Sequence, residues 1–116
     1  MIVAEGLPDR RIPRVRDFDA VEEHLESSLK HAASRGIHTR LSPIFKTPSE
    51  LETGGPLLLD MIEDAQILFD RDATLQKRLE RLRQRLVELK ARRIRKGGGY
   101  YWQLKPDFKP GDKIKL

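Results

Sequence analysis

Five leucines, Leu75, Leu79, Leu82, Leu86 and Leu89, recur at alternating spacings of four and three between Ala73 and about Lys96. That alternation puts them on one side of an α-helix whose remaining surface is Arg, Lys, Gln and Glu. A stripe this regular predicts a long C-terminal helix of roughly 24 residues. Its leucines face either the core of the chain or the interface of a dimer. At ~1.5–3 kcal/mol for each leucine fully buried, five exceed what a thin sheet covers. A homodimer, or stability only with a partner chain, is therefore expected. Gly97-Gly98-Gly99 ends the helix, and Tyr100–Leu104 reads as a final strand.

The residues before the stripe alternate short apolar runs with breakers. Ile2-Val3-Ala4 is too short for a firm strand, and Pro13 makes residues 9–16 a basic loop. Asp17 reads as the N-cap of a helix from Phe18 to about Arg35, with Phe18, Val21, Leu25, Leu29 and Ala32 on one face and Gly36 at its end. Residues 37–45 read as a strand, with Pro43 pushing its second half to an edge. Thr47-Pro48-Ser49-Glu50 carries an N-cap, a first-turn proline and a glutamate three residues on, a helix start. Gly54-Gly55-Pro56 stops that helix, a second short one follows from Leu57 to about Asp64, and Gln66–Phe69 reads as a brief strand. The order β-α-β-α-α-β-α-β predicts a single α/β (α+β) domain over 1–116, with helices packed on one small mixed sheet.

Charged residues make up 35% of the chain and there is no cysteine, so a disulfide framework and thiolate chemistry are excluded. No apolar run reaches the ~18 residues of a membrane span, and no signal-peptide pattern opens the chain. A cytoplasmic location is expected, and the Arg-rich, Cys-free composition suits a thermophile. The net charge of +5 is unevenly spread. Residues 1–70 hold eight Lys/Arg against thirteen Asp/Glu, and residues 71–116 hold fifteen against five, so the halves carry −5 and +10. A basic half points to an anionic partner.

LSPIFKTPSEL at 41–51, LDMIEDAQILFDRD at 59–72 and ARRIRKGGGYYWQLKPDFKPGD at 91–112 resemble the end of a prokaryotic nucleotidyltransferase-domain family of the polymerase-β type. IVAEGLP at 2–8 resembles the residues just after that family's metal-binding strand. The likeness implies the later part of a nucleotidyltransferase domain. In that superfamily a Gly-Ser turn grips the nucleotide phosphates and two Asp one residue apart on a strand hold Mg²⁺, since i and i+2 of a strand point the same way. This chain has no Gly-Ser dipeptide. Asp17-Phe18-Asp19 and Asp70-Arg71-Asp72 have the Asp-x-Asp spelling but sit at a helix start and a turn. Where a third carboxylate would stand, on the 37–45 strand, there are only Arg40 and Ser42. No catalytic or metal residue is assigned and no cofactor is expected for this chain. Mg²⁺ is implied only for a full-length family member, with the natural protein beginning upstream of Met1 or a partner supplying the motif.

The histidines, His24, His31 and His38, lack metal-ligand spacing. Arg92, Arg93, Arg95 and Lys96 are the main phosphate-binding candidates, with Trp102 and Lys105 nearby. The same cations also suit a helix C-terminus. Three functions stay open: a nucleotidyltransferase-like protein inactive alone and acting in a complex, a weak nucleic-acid- or nucleotide-binding module using the basic helix, and a dimerising interaction protein.

Overall fold

The computed structural model describes residues 1–116 and has a mixed α+β fold made of two compact units, Met1–Glu52 and Thr53–Leu116. The strands form two separate two-stranded sheets, one in each unit, in place of the single mixed sheet expected. No helix is long and apolar enough to cross a membrane.

In the first unit, β1 (Ile2–Val3) pairs in parallel with β2 (Phe45–Lys46), Ile2 opposite Phe45 and Val3 opposite Lys46. Backbone hydrogen bonds from Ile2 to Ile44 O and from Ala4 to Lys46 O, 2.8 and 3.1 Å, hold the pair. Residues 37–43, expected as strand, have no strand pairing, and Ile37 and Ile44 are exposed. Between the strands runs α1 (Arg11–Ser34), which begins well before the expected Asp17 cap. Pro13 does not break it because it lies in the first turn, where the backbone N–H has no intrahelical acceptor to lose. At the other end Gly36 adopts φ 81. Bonds from Gly36 to Ala33 O and from Ile37 to Ala32 O, each 3.0 Å, complete the glycine-terminated stop expected there. The apolar stripe of α1 is only partly covered, with Val21 and Leu25 exposed.

α2 (Pro48–Thr53) starts with the reciprocal cap its sequence spells. Glu50 N–H donates to Thr47 Oγ1 at 3.2 Å, and Thr47 N–H donates to Glu50 Oε2 at 2.9 Å. The same carboxylate takes a two-pronged contact from the buried Arg14, whose Nη1 and Nη2 lie 2.8 and 3.0 Å from its oxygens. Arg14 also donates to the carbonyls of Pro8 and Phe45. One side chain thus ties the segment after β1, the helix α1, the strand β2 and the cap of α2. Leu51 is buried, and the Phe18 and Phe45 rings meet edge to face at 6.0 Å.

In the second unit α3 (Pro56–Asp64) packs against α4 (Thr74–Glu88). Leu58, Leu59 and Ile62 of α3 and Leu79, Leu82 and Leu86 of α4 are its buried apolar residues. Those three members of the stripe are core, and Leu75 and Leu89 are half-buried at its ends. Gln66–Phe69, expected as a strand, pairs with nothing; Leu68 and Phe69 are 90% and 80% exposed. A single 3-10 turn, Arg71–Ala73, leads into α4. The 24-residue helix expected from 73 to 96 is shorter than its sequence suggests: α4 stops at Glu88 and Arg92–Lys96 is the strand β3. Antiparallel β4 (Gly99–Gln103) begins and ends one residue ahead of the expected strand.

Candidate nucleic-acid interface

The basic run is a strand because α4 is closed by a helix stop with no glycine in it. Lys90 takes the left-handed conformation, φ 55, directly after the C-cap Leu89. Lys90 N–H reaches Val87 O at 3.0 Å and Ala91 N–H reaches Leu86 O at 2.8 Å, the bond pair of a Schellman motif. Helix formers on both sides hide this stop from a reading of periodicity. A non-glycine residue there costs about 1–2 kcal/mol. Glycine would relieve that cost while losing about 0.4–1 kcal/mol through a freer unfolded chain. Lys90→Gly is therefore expected to raise the stability of the second unit by about 0.5–1 kcal/mol. The gain is read as a higher melting temperature by the fluorescence of Trp102.

Beyond the stop, β3 and β4 form a hairpin in which Lys96 pairs with Gly99 across Gly97-Gly98. Gly97, at φ 60, takes the position where a II′ loop needs glycine, so two of the three glycines turn the chain and the third pairs. The register sorts the side chains, since directly opposed residues share a face. Arg93 with Trp102 and Arg95 with Tyr100 lie on one face; Arg92 with Gln103, Ile94 with Tyr101 and Lys96 with Gly99 lie on the other.

The first face is partly covered and partly neutralised, with Tyr100 43% exposed and Arg95 exposed on it. Arg93 makes a 2.8 Å ion pair with Asp64 at the end of α3, and its guanidinium carbon lies 3.5 Å from the centre of the Tyr100 ring, a cation–π stack. The bond to Asp64 holds the Arg93 guanidinium above its ordinary pKa against the opposing effect of burial. Trp102 is half-buried, and its Nε1–H is buried without an acceptor. On the opposite face Arg92 and Lys96 are exposed and Tyr101 is 49% exposed between them. No ion pair engages Arg92, Arg95 or Lys96.

Of the residues expected to bind phosphate, the hairpin therefore brings together Arg92, Arg93, Arg95 and Lys96, but with separate roles. Arg93 is held by Asp64 and Tyr100. Lys105 is held by Asp112 at 2.6 Å, which raises its pKa, and Trp102 is half-buried on the same face as Arg93. Tyr101 was not among the residues expected to bind phosphate, because its place beside Arg92 and Lys96 depends on the hairpin that replaces the end of the expected helix.

The Asp-x-Asp spellings do not fit a metal pair. Asp17 and Asp19 lie within α1 on exposed positions. Asp70 is occupied by helix capping: its carboxylate oxygens accept from Leu75 N at 3.1 Å and Gln76 N at 2.8 Å, at the start of α4. No three His, Asp or Glu side chains converge as a metal group requires. No protein-family model, curated protein or solved structure matches the chain.

Proposed function

We propose that this chain is a nucleotidyltransferase-like protein that transfers no nucleotide by itself. In this reading the Gly-Ser turn and the paired metal carboxylates come from a polypeptide segment outside residues 1–116. The observation that supports it is the parallel pairing of β1 with β2. A third carboxylate can join two on one strand at a metal pair from the neighbouring strand, about 4.8 Å away. Ile2–Val3 lies in the stretch that resembles the residues just after the metal-binding strand, and Phe45–Lys46 closes the stretch where the third carboxylate would stand. The two are hydrogen-bonded neighbours, joined through α1. Arg14 supports the same arrangement by tying the loop after β1 to β2 and α2.

The test is incubation with labelled nucleoside triphosphates, Mg²⁺ or Mn²⁺, and RNA or protein acceptors. Residues 1–116 alone are expected to incorporate nothing, and incorporation is expected once a segment carrying the Gly-Ser turn and the Asp-x-Asp strand is joined ahead of β1. Incorporation by the chain alone that disappears in Asp17→Asn or Asp70→Asn would overturn the reading and make one of those pairs a metal site.

A further inference from the structure

We infer that the outer face of the β3–β4 hairpin binds single-stranded nucleic acid, with a base stacked on Tyr101 and phosphates held by Arg92 and Lys96. This goes beyond the nucleotidyltransferase-like reading and does not depend on it, because it rests on the second unit alone.

The two faces of the hairpin differ in what they have left to offer a ligand. On the first face Tyr100 is also exposed, but Arg93 is neutralised by Asp64 and already covers one side of its ring. On the outer face Tyr101 projects beside Ile94, with Arg92 and Lys96 two residues to either side of Ile94 along β3. These two cations share a face because strand side chains alternate with period two. Neither makes an ion pair. An exposed aromatic ring between unneutralised cations matches a ligand that alternates flat apolar bases with phosphates. A duplex offers the phosphates but not the base faces, so the arrangement selects single strands. An acidic peptide would supply charge without a ring to stack. Charge favours encounter too, since residues 71–116 carry +10 in formal charge.

Binding is measured by fluorescence anisotropy of a labelled twelve-nucleotide RNA and of its duplex. With two phosphate contacts, at Arg92 and Lys96, the log–log slope of affinity against salt is expected to be about −1.4 for the single strand. Tyr101→Ala is expected to weaken binding about tenfold and Tyr101→Phe to retain it, because stacking needs the ring and not the hydroxyl. Tyr100→Ala is expected to change it less than about threefold, since that ring is partly occupied. Arg92→Glu with Lys96→Glu is expected to weaken binding at least about tenfold and bring the slope toward zero. Lys77→Glu with Lys113→Glu, which changes net charge equally, is the comparison, and far-ultraviolet circular dichroism checks that each variant is folded. Absence of binding, equal affinity for the duplex, indifference to Tyr101→Ala, equal losses in the two charge-reversed pairs, or displacement by a polyglutamate peptide at equal charge would each overturn the inference.

Discussion

Leu82→Ala is expected to destabilise the second unit by about 3–5 kcal/mol, the cost of removing a fully enclosed leucine and leaving a cavity between two helices. Leu82 is 2% exposed and stands on the side of α4 that meets α3, with Leu79 and Leu86 a turn away on either side. A unit of this size has roughly 3–10 kcal/mol of stability in all. The substitution is therefore expected to leave a large fraction of it unfolded at room temperature. Trp102 is the only tryptophan of the chain and lies in this unit, so its fluorescence during urea titration reads the loss directly. Leu68→Ala is the matching control, since at 90% exposure that leucine contributes little. A change within about 0.5 kcal/mol is expected for it. A small effect of Leu82→Ala would mean that the stripe is not the core of the unit.

The first unit is expected to lose stability in acid through one carboxylate. Hydrogen bonds from the Arg14 guanidinium and then from the Thr47 backbone N–H hold the pKa of Glu50 at about 2, below the usual range. A carboxyl depressed in the folded state contributes its stability above the unfolded pKa, near 4.5, and loses it as pH falls through the folded value. The loss is therefore expected between about pH 4.5 and 2. Amide hydrogen exchange at Ile2 and Ala4, which donate to Ile44 and Lys46, reads it. Glu50→Gln is expected to lower protection at neutral pH and flatten its fall over that window. Arg14→Ala is expected to be the more damaging change, because it removes the donors to Pro8 and Phe45 as well as to Glu50. Arg14→Lys is expected to fall between them, since an ammonium cannot make the two-pronged contact. The exposed pair Glu26–Lys30 is the control, and Glu26→Gln is expected to leave exchange unchanged.

Local chemistry made much of this fold legible in the sequence. Thr47-Pro48-Ser49-Glu50 spelled the cap that forms, and Gly36 marked the end of α1. The α+β class followed from the alternation of elements. Pro13 misled because a proline in a first helical turn and one in a loop look alike without the position of the helix start. Arg92–Lys96 misled because the stop at Lys90 lies in hydrogen bonds to Val87 and Leu86 and not in a residue type. Gln66–Phe69 has the composition of a strand but lacks a partner, and pairing is not a local property. The basic character of the interface was plain in the sequence, whereas the separation of Arg93, held by Asp64, from Arg92 and Lys96 on the other face came from register.

The pairing of β1 with β2 bears on the order in which the first unit assembles. Two residues at the start of the chain must find two residues some forty positions later, with α1 between them. The entropy of closing so long a loop far outweighs what so short a ladder returns, so the strands cannot lead. α1 and the cap of α2 are built from contacts within a few residues and form early. Arg14, carried on α1, then meets Glu50 and Phe45 and shortens the remaining search to the ten residues between itself and Val3. The sheet is thus a late product of folding. By the same balance it is the first part of the unit to open and close again in the native protein, while the helices beside it stay formed.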